Sequence, residues 1–152
     1  TIACDMIGGK CVTFDKGKVA KACHASFSIP GVFEPVEIDG MQLIDGGAMT
    51  RVPVEQVRQM GADYVVAVDV GYQGWGHARA KNMMDVIMNA FEMCDWQVVE
   101  QVYKRSDCVI NPDLRDIPSN NLDKAEECIE KGREAALKAV DKILKDISDE
   151  SN

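Results

Sequence analysis

The sequence has no surplus of positive charge. Its 17 Lys and Arg stand against 25 Asp and Glu, a net charge of -8. A phosphate backbone wants a basic face, so no nucleic acid partner is expected. An anionic membrane gets no general electrostatic pull either. Long apolar runs are also missing. The longest spans residues 64–68, which suits a strand and falls far short of a membrane span. The opening residues show no basic region followed by an apolar one, so no signal peptide is expected. None of the six cysteines forms a C-x-x-C, and no His stands at zinc-ligand spacing from a Cys pair. They read as reduced, small hydrophobes of a cytoplasmic protein rather than as a disulfide framework. G-x-x-x-x-G-K-[ST], G-x-G-x-x-G and H-E-x-x-H are absent, so neither cofactor nor metal is expected. No repeat and no interdomain linker is visible.

What is present describes an ordinary globular chain. It has 152 residues, 46% hydrophobic and 28% charged, enough to bury a core without metals or disulfides. Residues 1–6 read as a strand, Gly8-Gly9 as a turn and residues 10–14 as a second strand. Helical spacing covers residues 19–26, and Pro30-Gly31 follows. Val36-Glu37-Ile38 and Met41-Gln42-Leu43-Ile44 alternate around Asp39-Gly40, the signature of a type I′ hairpin. Pro53 opens a short helix that Gly61 closes. Residues 62–70 read as a strand buried on both faces.

Residues 80–104 form a long helix with the stripe Met84, Ile87, Phe91, Cys94, Val98 and Val102. Met83, Val86, Met93 and Trp96 fall off that stripe. This second apolar side meets core, a partner or lipid. Residues 107–110 are a last short strand. Asp123 and Glu126 suggest a capping box for a final helix with the stripe Ala125, Ile129, Gly132, Ala136, Val140, Ile143 and Ile147. Strands alternating with helices point to an α/β layered fold with a largely parallel sheet.

Several residues could carry chemistry. Asp45 ends a strand and precedes Gly46-Gly47, where backbone can bend and approach closely. That suits a general base, and equally an ordinary Asp-Gly-Gly turn. Ser26 and Ser28 stand near a helix end, where serine usually bonds the backbone. His24 and His77 read as structural or solvent-exposed. Asp5 and Asp69 also stand at strand ends, where Asp commonly caps a loop.

Taken together, longer segments carry a resemblance. They are Ala25-Ser26-Phe27-Ser28-Ile29-Pro30-Gly31, Leu43-Ile44-Asp45-Gly46-Gly47, Val52-Pro53-Val54, and Gly61-Ala62-Asp63 with the strand behind it. In this order they resemble the second half of bacterial patatin-like phospholipases. The likeness is strong over residues 25–70 and weak over 71–121. It implies that residues 1–152 are the C-terminal portion of one three-layer α/β/α domain with a mostly parallel central sheet. It implies a serine acyl hydrolase acting on phospholipid or lysophospholipid esters through a Ser-Asp dyad without histidine. Asp45 is then the dyad carboxylate. The family's G-x-S-x-G serine and glycine-rich oxyanion loop are not in this sequence. By itself the chain is therefore expected to be inactive, and to pair with a missing N-terminal half or with another copy of itself. Peripheral membrane contact is a further expectation. The rival readings are a non-catalytic fragment that dimerises or binds lipid through the methionine-rich helix and the open sheet edge, and a ligand-binding domain built on Asp5, Asp69 and the 71–76 loop.

Overall fold

The computed structural model describes residues 1–71, 79–117 and 121–150, with main chain alone at 92, 95–98, 100 and 150. Trp75, His77 and most of the 71–76 loop therefore lie outside the described residues, as does the side chain of Trp96.

Two hairpins dominate the first third. Strands β1 (Ile2–Asp5) and β2 (Lys10–Thr13) run antiparallel. The turn between them is tied by the Asp5 carboxylate, which accepts the Ile7 N–H at 3.1 Å. Strands β3 (Val36–Ile38) and β4 (Met41–Asp45) flank Asp39 and Gly40, whose φ angles of 51° and 77° are those a type I′ turn requires. β1 also pairs with β4, giving the antiparallel order β2-β1-β4-β3. Helix α1 (Val19–Ser26) lies on β1 and β4 and buries Ala25 against Ala3, Val36 and Leu43.

The second half holds a smaller parallel unit. Strand β5 (Val66–Val68) pairs with β6 (Cys108–Ile110), and the crossover between them contains α3 (Met83–Tyr103). Helix α2 (Val54–Gln59) follows Pro53, and its neighbours Val52 and Val54 pack with Val65 and Ala67. Helix α4 (Ala125–Glu150) lies along β6.

The mixed α/β class is as expected, but the mostly parallel central sheet is not what these residues form. Among the described residues, four strands form an antiparallel sheet and two a parallel pair. The two hairpins, β1-β2 and β3-β4, are closed by short turns and so must be antiparallel, whereas β5 and β6 are joined by the long α3 crossover that a parallel pair needs. The expected doubly buried strand over 62–70 is likewise shorter and one-sided. Val65, Ala67 and Asp69 point inward, while Val66, Val68 and Val70 are 38%, 51% and 65% exposed. The α3 stripe expected in the core is also largely open, since Met84, Ile87, Phe91 and Cys94 are exposed along with Met83, Val86 and Met93. Among its described side chains, Val99 is buried. On α4 the packed row is Cys128, Gly132, Ala135, Ala136, Ala139 and Ile143, whereas Ile129, Val140 and Ile147 face out. No Asp123/Glu126 capping box opens this helix, because a 3-10 turn at Leu122–Lys124 leads directly into it.

The valine row of β5 faces α4 rather than α2 and α3. Side chains alternate along a strand, so Tyr64 shares the face of Val66, Val68 and Val70. The Tyr64 hydroxyl donates to Asp146 of α4 at 2.8 Å. That helix therefore covers the face but leaves the valine row open. Ile129, Leu137, Val140, Leu144 and Ile147 form a second exposed row at helical spacing along α4 itself.

The far end of α4 is held by charge. Lys142 pairs with Asp146 and donates to the Asp107 carbonyl at 2.7 Å. The Lys142 ammonium, then the Tyr64 hydroxyl, hold the Asp146 carboxyl below the usual carboxylate range. A lowered folded value means the stabilisation is present above the unfolded value, about pH 4, and is lost as pH falls through the folded one. Protection of the amides over the last turns of α4, measured against their intrinsic exchange rates, should therefore fall selectively in acid, and Tyr64→Phe should weaken that response. Unchanged protection of these turns at pH 3 would contradict the assignment.

Candidate active site

Asp45 is the last residue of β4, and local chain chemistry sets it in place. Its main-chain N–H donates to the Ser28 carbonyl at 2.9 Å. Its Oδ1 accepts the Gly47 N–H at 2.7 Å, which fixes the carboxylate at the start of a 3-10 turn, Gly46–Ala48. Gly46 is needed for close approach. A Cβ there would stand 2.5 Å from the Ile2 carbonyl oxygen and 2.9 Å from its carbon, so only glycine lets the turn lie against β1. The carboxylate itself is half-buried.

Two cavities meet at this residue. One, of about 190 Å³, is lined by Ile29, Pro30, Asp45, Gly47, Ala48, Met88 and Phe91. Apart from the carboxylate, every side chain in that set is apolar. The other, of about 560 Å³, reaches from Asp45 toward Arg51, Ser26 and Met60. The segment around Pro30 and the Asp-Gly-Gly turn, distant in sequence, thus share one wall. Helix α3 completes it with Met88 and Phe91.

The other candidates sort themselves by their bonds. Ser28 is fully buried and its hydroxyl donates to the His24 carbonyl at 2.7 Å, a helix-end role. Ser26 lines the larger cavity beside Asp45, but no hydrogen bond joins the two among the described residues. His24 is exposed and stacks near Phe27, with ring centroids 5.5 Å apart. Asp5 caps its own turn, as its position suggested.

Asp69 does more than cap. It is buried, accepts the Gly71 N–H at 2.8 Å, pairs with Arg51 Nε at 3.4 Å and takes the Tyr103 hydroxyl. Asn111 in turn donates to that hydroxyl at 3.3 Å. This network ties the loop after the Asp45 turn to the carboxyl ends of β5 and β6. Sequence reasoning missed it, since Arg51 carries no local signature. The available hint was a charged residue following the turn and a lone Asp ending an apolar strand.

Chemically, the site offers one oriented carboxylate facing an apolar space. A carboxylate can accept a proton from a hydroxyl brought within hydrogen-bond reach. No group of three His, Cys, Asp or Glu converges to hold a metal ion among the described residues.

Sequence comparison with known proteins points to a family. A sequence model of the patatin-like phospholipase family matches residues 6–58, which include the Asp45 turn. An uncharacterized NTE family protein of Mycobacterium tuberculosis is 38% identical over 78 residues, covering 51% of this chain and 22% of the relative. The lysophospholipase NTE1 of Meyerozyma guilliermondii is 43% identical over 48 residues, covering 32% of this chain and 3% of the relative. That of Candida albicans is 35% identical over 57 residues, covering 38% and 4%. The chain thus spans less than a quarter of the length of these relatives. The matches support the patatin-like family and a phospholipase type of activity within it.

Proposed function

We propose that this chain is the C-terminal portion of a serine acyl hydrolase that cleaves phospholipid or lysophospholipid esters. Asp45 is its general base. The serine and the oxyanion donors come from a segment outside residues 1–152. The observation that carries this reading is the Asp45 carboxylate, held by Gly47 N–H at the mouth of an apolar cavity. There it would take the proton of the serine hydroxyl as that oxygen attacks the ester carbonyl. The alcohol or lysolipid leaves, and water then releases the fatty acid from the acyl-serine. An acyl chain suits the Ile29, Pro30, Met88 and Phe91 walls, because its transfer from water is favourable there.

The missing segment also explains the open rows. Val66, Val68 and Val70, with the Ile129 to Ile147 row of α4, make an uncovered apolar trough beside a strand that pairs on one side only among the described residues. Further parallel strands paired at the free edge of β5, with helices packed on the face of the enlarged sheet, would cover it and build the three-layer α/β/α domain. The cysteine spacing, which fits no disulfide framework, favours a cytoplasmic setting. No described helix is long and apolar enough to cross a membrane.

A fluorophosphonate ester tests the assignment. The complete protein should label on a serine outside residues 1–152, and this chain alone should stay unlabelled. Labelling of the isolated chain, on Ser26 for example, would overturn it. A second reading, a lipid- or partner-binding fragment without catalysis, rests on the exposed α3 side chains Met83, Val86 and Met93. It predicts that neither form labels.

A further inference from the structure

β1 and β2 each carry one cysteine, and the two face one another: Cys4 stands opposite Cys11. Counting along the ladder shows what kind of pair this is. Thr1 and Phe14 exchange both main-chain bonds, at 2.8 and 3.1 Å. Bonded and non-bonded pairs alternate along antiparallel strands, so Ala3 with Val12 is bonded and Cys4 with Cys11 is not. In a non-bonded pair the Cα atoms stand about 4.5 Å apart with side chains on the same face. That separation lies at the short end of the range a disulfide spans, about 4.4–6.8 Å.

Both sulfurs also touch the segment that carries Asp45. The Cys4 thiol donates to the Gly46 carbonyl at 3.5 Å. Cys11 Sγ and Thr50 Oγ1 share a hydrogen bond at 3.2 Å. A bond between the sulfurs would end the first donation and draw Cys11 from its Thr50 partner.

We propose that Cys4 and Cys11 are a redox site that closes reversibly to a disulfide beneath the Asp45 turn. The oxidant is a small-molecule disulfide of the glutathione type. Cys11, the more exposed partner, attacks first as its thiolate. The S–S bond of the oxidant breaks, one small thiolate leaves, and Cys11 holds a mixed disulfide. Cys4 then gives up its proton to that leaving thiolate and attacks Cys11 Sγ. The mixed S–S bond breaks and the second small thiol departs, protonated from water. One small disulfide is reduced to two thiols as two protein thiols lose two hydrogens. The order follows from the environment, because burial, with Cys11 next, pushes the Cys4 thiol up to about 12. Cys4 is therefore a poor first nucleophile and acts only on a sulfur already in contact.

This goes beyond acyl hydrolysis, and only the activity arm of its test rests on that reading. The chain is incubated with oxidised glutathione, alkylated, digested and mapped by mass. The expected result is a Cys4–Cys11 crosslink that dithiothreitol reverses, while exposed Cys94 gains only a glutathione adduct. Cys4→Ser should trap the glutathione adduct on Cys11, and Cys11→Ser should leave Cys4 unmodified. Circular dichroism confirms that both variants fold, and Cys4→Ala and Cys11→Ala replace any that do not. Alkylation of both Cys4 and Cys11 after Cys94 has reacted fully would overturn the proposal. So would a glutathione adduct that persists on Cys11 with Cys4 intact. In the complete enzyme, oxidation should slow ester hydrolysis about tenfold or more, because small displacements near a base are costly. A crosslink that forms without slowing hydrolysis upholds the redox site and removes its link to Asp45.

Discussion

Asp45→Asn in the complete protein should lower ester hydrolysis about a thousandfold or more while leaving the fold intact. General-base transfer contributes roughly 10²–10⁴ in rate, and losing one member of a catalytic unit can cost about as much as losing the whole unit. The amide is nearly isosteric and its oxygen can still accept the Gly47 N–H that sets the turn. It cannot take a proton from serine. Loss of activity with an unchanged melting temperature therefore separates the base from the turn-former. Near-normal turnover would remove Asp45 from the chemistry and leave it as turn structure alone.

Gly46→Ala should do the opposite and damage the frame first. Its added methyl would press on the Ile2 carbonyl, which is strand backbone rather than a side chain that can swing away. β1 must then part from β4 at Ala3 and Asp45, the pair that seats the carboxylate. Overpacking of this kind costs about 3 kcal/mol or more when the neighbour cannot yield. The expected result is a clear drop in urea midpoint together with loss of hydrolysis. A normal midpoint would show that β1 relaxes freely and that the close approach is not needed. Gly47→Ala is the milder comparison, since its Cβ would meet only the Asp45 carboxylate at 3.1 Å.

The two substitutions separate what one motif combines. Asp45 was legible as a candidate because an acid followed by two glycines at a strand end has few other uses than a turn or a site. The family likeness made it the dyad carboxylate. Its surroundings were not legible. Met88 and Phe91 reach the cavity from a helix some forty residues downstream; Phe91 belongs to the expected stripe and Met88 does not, and the stripe placed neither of them beside Asp45. Arg51 and Asp69 meet only because α2 folds the loop back onto β5.

Most local elements were decided by the chain itself. Asp39-Gly40 demands positive φ, so the hairpin around it and its antiparallel sense follow without tertiary help. Helix α1 runs over the residues that its spacing indicated, Val19–Ser26. Pro53 and Gly61 bracket α2 for reasons of ring geometry and backbone freedom. Tertiary structure decided which apolar faces are covered. The run around Val66 is apolar on both sides, and such a run reads as buried on both whether or not anything covers it. Here α2 and α3 cover one face, α4 covers part of the other, and the valine row stays open. Hydrophobicity in sequence records that a side chain is better off out of water. It does not record which surface removes it, because that surface comes from elsewhere in the fold or from another segment altogether.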